Sequence, residues 1–261
     1  MTNLRNIEAL DLRIALGLVP GYDKRSAFGR FNGLNTAGSP IVVGSVGTDI
    51  NWPTTGAVLD IVSTGTGASN DNPTGTGVGT IRITGVDEDF ELLTEDVIMN
   101  GTTIVNTVNS FLRVDTMVSI LAGTLAGYND AQPIGTITAT HGTEIIAQID
   151  AGTGAHLAAC FHVPVGKRAV IKDIYTHIDD GGTDVEFFLS VRSNVLPVDV
   201  VTIPIIKTKI NKSVDGQFII LNITSSNSTV PQYTDVWISA DAIGGGSADI
   251  TATIIYYLTD A

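Results

Sequence analysis

The sequence predicts an all-β protein: two antiparallel β-sandwich domains of the jelly-roll type, preceded by an N-terminal attachment arm. Runs of Val, Ile, Thr, Phe and Tyr recur along the chain and are broken at short intervals by Gly, Asn, Asp and Pro. Within Thr80–Thr84 and Asp249–Ile254, apolar and polar residues alternate, as expected for strands with one buried face. Between these runs the three- and four-residue apolar spacing of a helix does not occur, which favours sandwiches over a parallel sheet.

Residues 1–40 are predicted to form the attachment arm. Its start has apolar residues at helical spacing and predicts a short helix, which Gly17 and Pro20 end (Leu4, Ile7, Leu10, Ile14). The stretch from Pro20 to Pro40 combines aromatic and basic residues without periodicity, so we expect it to become ordered by lying on another surface. The residues predicted to make that contact are Tyr22, Lys24, Arg25, Phe28, Arg30 and Phe31.

The rest of the chain is divided into a first sandwich over residues 41–148 and a second over residues 149–261. The boundary is placed in the polar and Gly-rich stretch from His141 to Gly154. Asn100-Gly101, between two of the strand-like runs, predicts a hairpin turn. The clearest predicted strands are Val78–Thr84, Phe90–Met99, Phe111–Ile120, Ile134–Thr140, Lys167–His177, Val185–Arg192, Val198–Ile206, Gln217–Leu221, Asp235–Ala240 and Asp249–Tyr257.

The charge distribution excludes nucleic acid as an expected partner. The 261 residues have a net charge of −13. Residues 1–30 hold five bases and three acids, whereas residues 31–150 hold two bases and thirteen acids. An acidic body repels phosphate, and the basic arm suggests docking onto an acidic neighbour.

Cysteine use and hydropathy indicate where the protein is made. The single cysteine, Cys160, excludes an intrachain disulfide and resembles a buried structural thiol. The N-terminus does not have the pattern of a signal peptide, and no apolar run of about 18 residues occurs. We therefore expect assembly in a cytoplasm and no membrane partner.

Residues with catalytic or metal-binding chemistry form no recognisable motif, so the sequence predicts no enzyme, cofactor or metal site. His156 and His162 are six residues apart, about 20 Å along one strand and too far to share a metal. Acidic turns at residues 70–72, 87–91 and 179–184 could offer oxygens to Ca²⁺, but they do not match EF-hand spacing. Gly-x-Ser-x-Gly does not occur, and Cys160 has no basic neighbour in the sequence.

Several short motifs resemble a family of virion structural proteins of tailed phages. They are Val19–Tyr22, Phe28–Arg30, Trp52-Pro53, Gly75–Gly77, Ile83–Asp87, Asn100–Thr102 and Val163–Lys167. The resemblance implies a protein similar to head-decoration, neck or fibre-base proteins, with an N-terminal attachment segment and β-sandwiches that often assemble as trimers. It implies no catalytic residues.

From these observations we expect a non-enzymatic structural component of a tailed-phage virion. Its partners would be capsid, neck or tail proteins and further copies of itself, and it would be assembled in the host cytoplasm. A threefold oligomer is expected, with strands near Val198–Ile206 and Ile250–Tyr257 at the contact. The alternative is a receptor- or glycan-binding fibre module that gathers Tyr22, Tyr128, Trp237, Tyr256 or Tyr257 on an exposed face. A polysaccharide depolymerase, with two opposed carboxylates in a groove, is the third possibility.

Overall fold

The computed structural model describes residues 12–14, 16–35, 40–48, 52–66, 70–125, 131–181, 184–194, 208–210, 217–222, 229–243 and 246–261. The expected N-terminal helix falls mainly on residues outside these ranges, and Leu12, Arg13 and Ile14 form one helical turn. The described strands are β1 (Tyr22–Leu34), β2 (Ile41–Val42), β3 (Asp60–Ser63), β4 (Val78–Val86), β5 (Leu92–Ile98), β6 (Val105–Asn106), β7 (Arg113–Ala122), β8 (Ile137–His141), β9 (Glu144–Ile149), β10 (Cys160–Val163), β11 (Lys167–Gly181), β12 (Asp184–Ser193), β13 (Thr208–Ile210), β14 (Gln217–Asn222), β15 (Thr229–Val230), β16 (Thr234–Ile243) and β17 (Ala248–Asp260).

These strands form four antiparallel sheets, which confirms the predicted all-β class. Sheet 1 has the order β1-β17-β11-β14, with β15 also paired to β11. Sheet 2 has the order β10-β16-β12-β13, with β2 paired to β16. Sheet 3 is β6-β3-β8-β9, and sheet 4 is β5-β4-β7. Among the described residues, no helix is long and apolar enough to cross a membrane.

Sheets 1 and 2 share one hydrophobic core, and sheets 3 and 4 share another. In β17 every second residue from Ala248 to Leu258 is buried, which is the period of a strand with one face on a core. Ile254 of sheet 1 and Phe187 of sheet 2 belong to the same buried cluster. Ile83 of sheet 4 and Ile137 of sheet 3 belong to the second cluster. Sheets 1 and 2 with their core are called the C-terminal body below, and sheets 3 and 4 with theirs are called the N-terminal body.

The structure corrects the expected arm over its described part. Tyr22–Leu34 is not an aperiodic segment but a strand, β1, paired antiparallel with β17 from Tyr22↔Thr259 to Leu34↔Ala248. Ala27 and Leu34 are buried in the core of the C-terminal body. The long sequence separation between β1 and β17 concealed this pairing, because neither strand's pattern identifies its partner. Residues 22–34 are therefore part of the C-terminal body.

The expected hairpin at Asn100-Gly101 is also corrected. Gly101 does adopt a positive φ of 59°, and the Thr103 amide donates to the Asn100 carbonyl, as in a turn. The two predicted runs on either side of the turn become β5 and β7, which do not pair with each other because β4 lies between them and pairs with both. The turn therefore leads out of sheet 4 and into β6 of sheet 3.

The two segments expected at a contact between copies have different outcomes. Val198–Ile206 lies outside the described residues. Ile250–Tyr257 lies within β17, which is paired with β1 on one side and β11 on the other. Its backbone edges are already used, so β17 cannot extend a sheet into a second copy.

Candidate functional site

Four of the six predicted attachment residues share the outer face of β1. Alternate residues of a strand lie on the same side, and Tyr22, Lys24, Phe28 and Arg30 are spaced accordingly. Tyr22 and Phe28 are 45% and 42% exposed. Nε of Arg30 donates a hydrogen bond to Asn32 Oδ1 at 3.0 Å. These four residues are called the β1 face, and it lies on the edge strand of sheet 1.

The other two predicted residues, Arg25 and Phe31, lie on the opposite side of β1. The Arg25 Nε donates to Asp23 Oδ2 at 2.7 Å, and its side chain lines a cavity. Phe31 packs against the core of the C-terminal body. The structure therefore divides the predicted set between an outer face with four residues and an inner face with two, of which Arg25 lines the cavity and Phe31 packs on the core.

Gly29 explains how β1 lies so close to the rest of its body. A Cβ atom at this position would come within 1.9 Å of the Val43 carbonyl oxygen and 2.5 Å of the Ala159 amide nitrogen. Any larger residue would push β1 away from this backbone. The Phe28-Gly29-Arg30 motif therefore combines two outward side chains with one packing glycine.

A buried ionic cluster joins the two bodies. Arg113 of β7 donates two hydrogen bonds to the Asp235 carboxylate of β16, from Nε at 3.2 Å and Nη2 at 3.1 Å. Arg192 adds a hydrogen bond from Nε at 3.0 Å, Asn194 donates from Nδ2 at 3.0 Å, and His162 Nδ1 lies 2.9 Å from Oδ1. The side chains of Arg113 and Asp235 are 2% and 0% exposed. We call these five residues the junction cluster.

The junction cluster keeps Asp235 ionised. Burial alone would raise the pKa of Asp235, but the hydrogen bond with His162 and the charge of Arg113 outweigh it and hold the pKa far below its usual range. Burial lowers the pKa of Arg113 despite the neighbouring carboxylate. The Trp52 ring covers the cluster, with Arg113 Cζ 5.3 Å and Arg192 Cζ 5.7 Å from its centroid, within cation–π range.

A second set of contacts holds the bodies together at the turn after β4. The rings of Phe90 and Tyr233 meet edge to face with centroids 5.5 Å apart. The Val165 amide donates to the Phe90 carbonyl at 3.0 Å. Phe90 and Tyr233 have positive φ angles of 61° and 59°, a backbone conformation that non-glycine residues seldom adopt. Backbone strain of this kind persists where surrounding contacts impose it, and here both residues lie where the two bodies meet.

Cys160, His162 and Asp235 have the residue types of a catalytic triad but not its geometry. His162 Nδ1 contacts Asp235, whereas its Nε2 is buried without a hydrogen-bond partner, so it does not reach the thiol. Burial raises the pKa of Cys160 well above its usual value. A thiol that is neutral and has no base in contact is a poor nucleophile.

A cavity of about 500 Å³ opens between the two bodies. The β1 strand contributes one wall through Arg25, Ser26 and Phe28. Asp115, Thr116 and Val118 of β7 contribute another. The lining also includes Thr84, Ala155, His156, Leu157, Ala158, Cys160, Phe161 and Tyr256. Its volume lies within the range of about 300–1,000 Å³ that is typical of ligand pockets.

Asp115 is the acidic group of this cavity. Its Oδ1 accepts a hydrogen bond from the His162 amide at 3.0 Å, and its side chain is 11% exposed. Burial raises the pKa of Asp115, although the nearby His162 and Arg25 act in the opposite direction. Asp115 is thus a mostly buried carboxyl group that contributes a small exposed part to the cavity wall.

Two of the acidic turns use a carboxylate to hold backbone amides, Asp71 in one and Asp87 in the other. Asp71 is fully buried, and donors occupy its oxygens, from the Val78 and Ile134 amides at 2.9 Å and from Ser63 Oγ and the Gly135 amide. Asp87 accepts from the amides of residues 89 and 91 in its own turn. The side chains of Asp179 and Asp180 lie outside the description. Within the described residues, no three His, Cys, Asp or Glu side chains are grouped to hold a metal ion.

The aromatic residues named for a glycan-binding face are not gathered on one surface. Tyr256 is buried and stacks on Phe161 with centroids 3.7 Å apart. Trp237 lies beside Trp52 at 6.0 Å, near the junction cluster. Tyr128 lies outside the described residues. Tyr22 belongs to the β1 face, and Tyr257 pairs with Lys24 and lies on the same side of sheet 1. Of the five named residues, Tyr22 and Tyr257 are therefore the two that the described structure places on one face.

Sequence reasoning missed Arg113 and Asp235 of the junction cluster, and Asp115 of the cavity. A usable signal was present, because Arg113 follows Phe111-Leu112 and Asp235 precedes Val236 within strand-like runs. A charged residue at the start of an apolar strand often indicates a buried partner. The partner itself could not be identified, since Arg113 and Asp235 are 122 residues apart.

Comparisons with known proteins assign no family. The sequence matches no protein-family model and no curated protein. Among solved structures, a chain of the infectious bursal disease virus Gt strain aligns with 12% identity over 93% of this chain and 79% of the other, at a TM-score of 0.17. A VP2 subviral particle of the same virus aligns with 11% identity over 93% and 77%, at a TM-score of 0.15. Likeness at this level carries no argument about function.

Proposed function

We propose that the protein is a non-catalytic structural component of a tailed-phage virion, docked to capsid, neck or tail proteins through the β1 face. One observation carries the proposal: a basic and aromatic face lies on an edge strand of a protein with net charge −13. Exposed aromatic and basic side chains in one patch are typical of protein interfaces. The attachment role predicted for residues 1–40 is thereby reduced to four outward residues of β1.

The remaining architecture supports a durable, assembled role. We infer that each body is a β-sandwich, two sheets on one core, and that the junction cluster fixes the two sandwiches to each other. Interactions of this kind favour a rigid unit over a hinged one. Cys160 and His162 are buried, and Asp235 is held in the junction cluster, so these three groups act in this proposal as structural residues.

A threefold assembly of copies is part of the proposal. Ile98 and Leu121, on strands β5 and β7 of sheet 4, flank Thr80 and are 63% and 59% exposed. Apolar residues this exposed in a virion protein support a contact between copies. Light scattering on the isolated protein at micromolar concentration should give a trimer mass, and the Ile98→Asp variant should shift it toward the monomer. A monomeric wild-type mass would contradict this part.

The docking test uses virions purified from infected cells, with the copy number of the protein measured by quantitative mass spectrometry. The variant Tyr22→Ser/Arg30→Glu changes the β1 face without changing the cavity lining, and we expect it to remain folded but to be lost from particles. The matched control Val108→Ser changes a side chain that is 88% exposed in the N-terminal body. Wild-type copy number for the β1 variant, or absence of the wild-type protein from virions, would overturn the proposal.

A further inference from the structure

The cavity between the bodies is lined by one basic and one acidic side chain, Arg25 and Asp115. Arg25 lines it as a cation and is paired with Asp23 at 2.7 Å. Asp115 lines it as an acid and has no salt bridge to a lysine or arginine among the described residues. The two groups are close enough to influence each other's titration. An anionic ligand would therefore meet Asp115, and a cationic ligand would meet Arg25, so neither class is favoured.

The other lining residues favour a ligand with hydroxyl groups on an apolar frame. Ser26, Thr84 and Thr116 bring hydroxyl groups, each of which can donate and accept a hydrogen bond. Phe28, Val118 and Leu157 bring apolar surface to the same cavity. A pocket with a mainly apolar wall and a few polar groups fixes the orientation of its ligand through those groups.

We infer that this cavity binds a neutral sugar residue. The hydroxyl groups of a sugar ring can donate to the Asp115 carboxylate and accept from the Arg25 guanidinium. The C–H face of the ring can lie on Phe28, which lines the cavity and is 42% exposed. A peptide backbone offers one donor and one acceptor per residue, so it matches the hydroxyl groups of the cavity lining less well than a sugar does.

The cavity is suited to binding and not to cleavage of a glycosidic bond. Glycosidases use two carboxyl groups on opposite sides of the scissile bond, about 5–10 Å apart. Asp115 is the one carboxylate among the lining residues that the structure describes. The neighbouring Asp235 is held by Arg113, Arg192 and His162 and does not line the cavity. The site therefore adds sugar binding to the proposed structural role, and its described lining does not have the pair of carboxylates that a depolymerase uses.

The test measures binding of small probes to the purified full chain by saturation-transfer NMR and by calorimetry. The neutral probes are glucose, galactose, mannose and N-acetylglucosamine; the charged probes are glucuronate and glucosamine; alanyl-alanine amide is the peptide probe. At least one neutral sugar should bind with a millimolar dissociation constant. Binding of charged or peptide probes alone, or of no probe, would overturn the inference.

Two variants locate the binding site. Asp115→Asn keeps an acceptor for the His162 amide but replaces one carboxyl oxygen with an NH2 donor, and it should weaken sugar binding about tenfold or more. Thr116→Trp, at an exposed position of the lining, should block entry. The control Thr102→Trp places the same ring on an exposed turn away from the cavity and should bind as the wild type does. Wild-type affinity in both Asp115→Asn and Thr116→Trp would place the binding site elsewhere and overturn the assignment. Because these measurements use isolated protein, their outcome is independent of incorporation into virions.

Discussion

Replacement of Asp235 by Asn should destabilise the protein more than any exposed charge change. The variant keeps the size of the side chain but leaves Arg113, which is 2% exposed, facing an uncharged amide in a buried site. Arg192 loses the same partner, at a position 18% exposed. Removal of one member of a buried ion pair costs about 3–5 kcal/mol, mostly because the remaining charge stays desolvated.

A loss of this size in the free energy of unfolding should shift the midpoint of thermal unfolding measurably. For a chain of this size, 1 kcal/mol changes the midpoint of thermal unfolding by about 2–4 °C, so Asp235→Asn should lower it by about 6–20 °C. Urea unfolding followed by fluorescence is a direct assay, because the two tryptophans, Trp52 and Trp237, lie 6.0 Å apart near the junction cluster. We also expect the N-terminal and C-terminal bodies to unfold at separate midpoints in the variant, since the cluster joins them.

The matched control is Asp96→Asn on sheet 4. Asp96 pairs with Arg82 through two hydrogen bonds of 2.7 and 2.9 Å, but the two side chains are 44% and 48% exposed. Pairs exposed to this extent contribute little to stability, so the control should unfold as the wild type does. Equal midpoints for Asp235→Asn and Asp96→Asn would refute the view that the junction cluster stabilises the assembly of the two bodies.

Three further predictions concern acid, loop and strand stability. Burial lowers the pKa of His156 from 6.5 to about 4, so this side chain takes up a proton in the unfolded chain at a higher pH than in the folded one. The free energy of unfolding should therefore fall by about 3 kcal/mol as the pH drops from 6.5 to 4. His156→Gln should flatten this pH profile in urea titrations. Asp71→Asn should lower the thermal midpoint because one oxygen becomes a donor facing amides, while Ca²⁺ or EDTA should leave the wild-type midpoint unchanged. Gly29→Ala should destabilise strongly, whereas Gly154→Ala, with open space around its Cβ, should not.

The sequence predicted the parts of the fold that depend on local pattern. Alternation in Asp249–Ile254 and Thr80–Thr84 corresponds to β17 and β4, and both pack one face on a core. β1 escaped prediction because its outward residues mix aromatic and basic types, and because Gly29 is required by backbone that is distant in sequence. The pairing of Arg113 with Asp235 was likewise beyond local reasoning, since nothing near either residue specifies the other.

The two proposed surfaces share Phe28, but each also has residues of its own, and these residues allow experiments to separate the two functions. Phe28 belongs to the β1 face and also lines the cavity, so a partner docked on β1 would cover a residue of the cavity lining. Occupation of the cavity and attachment through β1 would then depend on the same ring. Tyr22 and Arg30 belong to the face alone, and Thr116 belongs to the cavity alone. Variants at those positions change one surface at a time, so a loss of virion incorporation and a loss of sugar binding can each be assigned to its own cause.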